Sequence, residues 1–323
     1  MRRSILVAAL FVLTVGRSDA YAWGCEGHRA VAMLAERMLP PATIAAAKAV
    51  LAASPVDPAL KRGCPAVPGD PLADESTWAD DYRNDHPETF GWHFSNIPRV
   101  FPSNTANPAT ACLNGNCAID AIVAQFHTLT HSSNALAKAN ALRFILHFVG
   151  DLHQPLHSTS NGDRGGNCVP VTFHGVAPQE NQTTHDFSPN LHSIWDSGLI
   201  RRYMSDHALV DARALAADVT AHHALPASVA AEAPTKVRVT SWAREAHGVG
   251  RTIAYGKLPI AVPMEPATAL TLSSCQDNND IVHRMLALNE QIGDAYQSAS
   301  EPAILSQLRL AGIHLAEVLK ATF

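Results

Sequence analysis

The densest chemistry in this chain lies in the run His147-Phe-Val-Gly-Asp151-Leu-His153-Gln-Pro-Leu-His157. On a helix, His147 and Asp151 stand four residues apart on one face, where an imidazole and a carboxylate can hold one metal ion between them. Pro155 ends the helix and lets His157 turn towards a neighbouring site. The same spacing recurs in His192-Ser-Ile-Trp-Asp196. Trp78-Ala-Asp80-Asp81-Tyr-Arg83 adds a carboxylate with an arginine one turn later, and Trp92-His93-Phe94 sets an imidazole between aromatics. Each alone has a bland alternative: a helix-face hydrogen bond for the His/Asp pairs, a surface salt bridge for Arg83, core packing for His93 and Phe94. Together they make up the imidazole and carboxylate set that zinc uses at catalytic sites.

A further candidate depends on the first 22 residues. Arg2 and Arg3, an apolar run from Ile5 to Val15, and Ala20-Tyr21-Ala22 have the layout of an export signal cleaved after Ala22. The run is too short to span a membrane, with a retained N-terminal anchor as the alternative. The mature chain, 23–323, is then expected outside the cytoplasm, secreted or periplasmic, where disulfides persist. It opens with Trp23-Gly-Cys-Glu-Gly-His28. A freed α-amine, with an ordinary pKa of about 7.7–8.0, deprotonates readily beside a dication. With the Trp23 carbonyl it can close a chelate that His28 joins from the first helical turn.

The elements that must position these side chains read as helices. Of 323 residues, 47% are hydrophobic and 16% charged, which excludes a disordered or low-complexity chain. The formal charge of −5 becomes −7 once residues 1–22 leave, so no basic footprint exists for a nucleic-acid backbone. Helices are expected over 25–38, 41–52, 72–84, 117–131, 135–153, 190–204, 206–222, 236–254, 278–297 and 302–320, with a short β element near 169–174. No linker divides the chain, so a mostly α, single-domain multi-helix bundle is expected, and with no unpaired apolar stripe, a monomer. Of six cysteines, Cys112 and Cys117 flank the turn Leu-Asn-Gly-Asn and are expected to bridge. Cys25, Cys64, Cys168 and Cys275 leave three pairings open, while the lack of any C-x-x-C argues against a zinc–thiolate site.

Six motifs now stand in order: Trp-Gly-x-x-Gly-His from 23, Trp-Ala-Asp-x-x-Arg from 78, Trp-His-Phe from 92, the His147–His157 run, Asp-Arg-Gly-Gly-Asn from 163 and Asn-Leu-His-Ser-Ile-Trp-Asp from 190. This series resembles the zinc-dependent single-strand-specific nucleases of the S1/P1 family. The resemblance implies a mostly α fold and a cluster of three zinc ions. Asp80, His93, His147 and Asp151 would hold the first, and His157, His192 and Asp196 the second. The Trp23 amine and carbonyl with His28 would hold the third, sharing Asp151 with the first. Three zinc ions against three aspartates would leave the cleft near +3 in an acidic protein, so the metals, rather than basic side chains, would attract phosphate.

The implied activity is hydrolysis of single-stranded DNA, RNA and 3′-nucleotides at the 3′-oxygen, leaving 5′-phosphates. Asp80 would also orient the attacking water, and Arg83 would neutralise charge growing on the phosphate. Phe94 matches the family's base-stacking aromatic. Asn96 stands where fungal members carry an aspartate that reads the base, so base preference is expected to differ. His153 matches a family histidine that is no ligand and is expected to orient one. The Asp163–Asn167 loop carries no assigned step, and Asn181-Gln-Thr183 is a glycosylation sequon. Two other readings remain. Zinc-dependent phospholipase C shares the fold type, but ends its last His/acid pair in Glu and lacks the 35-residue gap between His157 and His192. A secreted zinc-storage protein would have no use for Arg83 and Phe94.

Overall fold

The computed structural model describes residues 23–104, 112, 115–182, 186–266, 275 and 279–323. The expected export signal, and Thr183 of the sequon, lie outside the described residues. Among the described residues, twelve α-helices form the body: α1 (Gly24–Glu36), α2 (Pro41–Ala52), α3 (Pro71–Glu75), α4 (Trp78–Tyr82), α5 (Ala118–His131), α6 (Ala135–His153), α7 (Leu191–Ser193), α8 (Leu199–Asp206), α9 (Ala212–His222), α10 (Lys236–Val249), α11 (Asn279–Leu288) and α12 (Asp294–Thr322). Among the described residues, six short strands pair two by two. β1 (Ile97–Pro98) runs parallel to β2 (Thr159–Ser160), β3 (Val171–Phe173) parallel to β6 (Glu290–Ile292), and β4 (Gln179–Glu180) antiparallel to β5 (Phe187–Ser188). The expected mostly α single domain is observed, with β3 inside the stretch read as β.

The bundle is built around α6. Asn134 caps its start by accepting from the Ala137 N–H, and residues 141–153 are buried without a break. A helix buried all round must be surrounded by other helices, and α6 packs on α1, α2, α4, α5, α10 and α12. Its buried Arg143 is satisfied by Glu75, Asn140 and the Ser54 carbonyl. Against α6, α1 lies between α9 and α12. Gly312 lets α12 approach closely, because a Cβ there would come 2.6 Å from Leu34 Cβ.

Several helix boundaries differ from the sequence reading, each for a tertiary reason. The stretch 72–84 is two helices, and the break leaves the Ser76 carbonyl free to accept from His147. The stretch 190–204 is α7, a π-helical turn over Ile194–Gly198, and α8. The helix expected from 206 starts at Ala212, behind Ala208 in the left-handed region and an Asp211 cap. That expected over 236–254 gives way to a π turn at Gly250–Ala254. The stretch 278–297 is interrupted where β6 pairs with β3, and α12 runs through Pro302 instead of starting there. An internal proline costs about 3 kcal/mol; burial of Tyr296, Ile304, Leu305 and Leu308 on either side offsets it.

All six cysteines are paired: Cys112–Cys117 as expected, then Cys25–Cys64 and Cys168–Cys275. Among the described residues no helix is long and apolar enough to cross a membrane. Overpacking at the α1–α12 contact supplies a stability test. Gly312→Val should cost about 1–3 kcal/mol and lower the thermal midpoint by several degrees, read by calorimetry; an unchanged midpoint would contradict the close approach.

Candidate metal centre

Helix α6 presents His147 and Asp151 on one face, and other segments converge on them. From α1 comes His28, from α4 Asp80, and from the 3-10 turn Pro87–His93 comes His93. The turn after α6 delivers His157, and α7 with its π turn delivers His192 and Asp196. All are buried, and their ligating atoms fall into close groups. Asp151 Oδ2 lies 2.8 Å from His93 Nδ1 and 3.3 Å from His147 Nε2. Its other oxygen, Oδ1, lies 3.3 Å from His28 Nε2, so the carboxylate serves two sides at once. Asp80 Oδ1 closes the first side at 3.6 Å from His147 and 3.7 Å from His93. A second group sets His157 Nε2 3.2 Å from His192 Nε2, with the two Asp196 oxygens at 3.5 and 3.4 Å.

Backbone carbonyls fix which nitrogen each ring offers. His147 Nδ1 donates to Ser76 O, His157 Nδ1 to His93 O and His192 Nδ1 to Gly165 O, each at 2.8 Å. A ring whose proton is held at Nδ1 presents a lone pair at Nε2. The second group therefore brings two imidazole lone pairs and a carboxylate together with no donor among them. Such a set needs a cation or added protons. Zinc bonds of 2.0–2.1 Å in a tetrahedron place ligand atoms about 3.3 Å apart, and the 3.2–3.5 Å spacings here match. Among the described residues, buried Asp80 Oδ1 and Oδ2, Asp151 Oδ1, Asp196 Oδ2, His93 Nε2 and both His28 nitrogens have no hydrogen-bond partner. Orphaned polar atoms at this density are costly in an ordinary core, and the donor set fits divalent cations.

Sequence reasoning passed over the parts that hold the ligands. Gln154 is buried and donates from Nε2 to Asp196 Oδ1 at 2.6 Å, although its place inside the His-Gln-Pro-Leu-His motif was a signal. The Asp163–Asn167 loop now has a role. Asp163 Oδ1 accepts from the Gly166 N–H and the Tyr255 hydroxyl at 2.9 Å each, which fixes the loop that offers Gly165 O to His192. Gly165 has φ +63°, and a Cβ there would lie 2.5 Å from Leu156 O. Gly150 likewise gives way to His28, whose Nδ1 would lie 2.8 Å from a Cβ at that position. Trp23 is fully buried, its Nε1 donating to Gly150 O at 2.9 Å and its carbonyl accepting from the Gly27 N–H. The start of α1 is thereby set beside His28, and Cys25–Cys64 fastens its first turn.

Of the adjacent carboxylates on α4, only Asp80 faces the cluster. Asp81 pairs with Arg62 and the Gly63 N–H. Arg83 Nη1 lies 3.2 Å from Asp80 Oδ1, at the rim. Phe94 is half-buried, its ring centroid 4.6 Å from that of His157, and Asn96 follows in the left-handed region with φ 41°. His153 corrects an expectation: its nitrogens bond Val149 O and His314 Nδ1, away from the ligands. Two residues beyond Asp151, it projects from the far side of α6, where burial lowers its pKa to about 4.

The side chains by themselves neutralise one another with protons. Burial would raise Asp80 and Asp151, but Arg83 and His147 hold Asp80 low, and His147, His157 and His28 hold Asp151 low. Burial would lower His147, but Asp151 and Asp80 push it up to about 10. His157 is raised against its burial by Asp151 and Asp196, while burial takes His93 down to about 4. At neutral pH a proton on His147 therefore occupies the place of a cation. Adding zinc to chelator-treated protein at pH 7 should release protons, and apparent affinity should climb with pH up to about 10. Calorimetry in buffers of different ionisation enthalpy measures this, and proton-neutral binding would refute it. Without cation, the raised His147 contributes stability that is complete below pH 6.5 and lost as pH rises through about 10.

The S1/P1 Nuclease family model matches residues 23–323. Nuclease P1 of Penicillium citrinum is 32% identical over 198 residues, 60% of this chain and 64% of that protein. Nuclease S1 of Aspergillus oryzae is 30% identical over 203 residues, 61% of each chain, and Endonuclease 5 of Arabidopsis thaliana 30% over 207 residues, 60% of this chain and 62% of that one. The matched stretch thus spans less than two thirds of these relatives. With a family match running from Trp23, beside the cluster, to the end of α12, the chain belongs to the S1/P1 nuclease family.

Proposed function

We propose that this chain is an exported endonuclease that cuts single-stranded DNA and RNA at the 3′-oxygen, leaves 5′-phosphates and also removes phosphate from 3′-nucleotides. The observation that carries the reading is the buried cluster of imidazoles and carboxylates, with tetrahedral spacing in the His157, His192 and Asp196 group and with Asp151 shared between His147 and His28. In this reading Asp80, His93, His147 and Asp151 hold one zinc ion, His157, His192 and Asp196 a second, and His28 with the Trp23 amine and carbonyl a third. Export and cleavage after Ala22 free that amine. The domain is then 23–323, acting as a monomer.

Zinc ions held by these residues would supply acidification of a water and Lewis-acid stabilisation of the departing oxygen. The chain's own residues do the rest. Asp80, pointing into the cluster, accepts a hydrogen bond from the attacking water and fixes its direction. Arg83, tied to Asp80, sets its guanidinium beside the non-bridging phosphate oxygens. Phe94 receives the base, which must leave its stack to reach a buried centre, and that step selects single strands. Asn96 offers an amide to the base edge, donating as well as accepting.

The mature protein should carry about three zinc ions and cleave denatured DNA to 5′-phosphorylated products, with chelation abolishing cleavage. Zinc content without cleavage of DNA or 3′-AMP, but with hydrolysis of phosphatidylcholine, would replace the nuclease reading with a phospholipase one. Asp151→Asn should reduce turnover of both DNA and 3′-AMP below detection, and retained activity would sink the shared-carboxylate model. A chain that keeps one residue ahead of Trp23 should bind about two zinc ions; three tightly bound ions would refute the N-terminal chelate.

A further inference from the structure

Phe90 is 49% exposed, and single exposed aromatics are ordinary on protein surfaces. This one differs in what surrounds it. Its ring centroid lies 5.5 Å from that of Phe94, and the Arg83 guanidinium carbon lies 5.6 Å from its centre. Phe90 therefore extends the aromatic surface outward from the cluster, with the cation that pairs with Asp80 over one face of its ring.

The turn that carries Phe90 is held in place. Thr89 N–H and Oγ1 both donate to His86 O, Phe94 N–H donates to Gly91 O, and Ala118 N–H donates to Phe94 O. Behind it, the Asn116 side chain lies where a Cβ on Gly91 would sit, 2.5 Å from Nδ2. Asn116 belongs to the Cys112–Cys117 loop, so that disulfide backs the turn. An apolar ring kept half in water on a braced turn is placed to receive another flat group.

We propose that Phe90 is a second stacking platform, taking the nucleobase next in line to the one on Phe94, with Arg83, over one face of the Phe90 ring, facing the intervening backbone. This rests on the nuclease reading above. The two rings are inclined at 50°, so bases lying on both are splayed and cannot stack on each other. Neighbouring bases of a duplex are parallel, and only an unpaired strand can open to that angle. Phe90 thus sets a preference for substrates of at least two nucleotides and adds a second barrier to duplex.

Phe90→Ala and Phe90→Trp are compared with wild type on 3′-AMP, a dinucleotide carrying a 3′-phosphate, and single-stranded DNA, with thermal midpoints recorded. Expected for Phe90→Ala is a rise of about tenfold in KM for the dinucleotide and longer strands, equal to about 1.4 kcal/mol. Its kcat should stay within about twofold, and the advantage of two nucleotides over one should collapse. Phe90→Trp should restore that advantage, which a merely structural role would not. If wild type cleaves single strands and Phe90→Ala keeps the same length preference, the platform is refuted. If wild type neither binds nor cleaves single strands, the nuclease reading falls and takes the platform with it.

Discussion

Everything near the centre depends on one fully buried carboxylate. Asp151 sits on a helix buried all round, with one oxygen towards His93 and His147 and the other towards His28. A bare charge at that depth is untenable unless it is compensated. Its compensators must be delivered by separate segments, because α6 supplies only His147 at suitable spacing. The crowding of α1, α4 and the His93 turn around α6 is thus an electrostatic requirement as much as a packing arrangement.

The covalent links follow the same division. Helix α6 needs none, since its neighbours hold it on every side. The three disulfides fasten segments that reach in from outside: Cys25–Cys64 at the turn bearing Trp23 and His28, Cys112–Cys117 behind the turn of His93 and Phe94, and Cys168–Cys275 beside the glycine loop that orients His192. Loops that carry ligands have few buried contacts of their own, and a cross-link limits the alternatives open to them.

Much of this was legible in the sequence, because it is local. Helices α2 and α6 have the bounds that propensity and proline placement suggested, and the i, i+4 pairs at His147/Asp151 and His192/Asp196 lie on one helix face each. What was not legible depends on partners far along the chain. The break at Ser76 makes sense only once His147 claims the carbonyl. The passage of α12 through Pro302 depends on the core around it, and the interruption at Glu290 depends on β3. The roles of Gln154, Asp163 and Tyr255 emerge only with the loops in place. His153 is the opposite case, since helical periodicity alone places it off the face of Asp151.

The position of α1 carries a further consequence. This helix brings His28 to the cluster, yet it is wedged between α9 and α12, and residues 31–35 press against Gly312. Contacts between positions so distant along the polypeptide form late, since chain entropy opposes them until most of the molecule is assembled. A nascent chain that has emerged only as far as Asp196 possesses every candidate ligand, but the helix that bears His28 still lacks its contacts with α9 and α12. The surroundings of the centre are therefore completed only when α9 and α12 have folded onto α1.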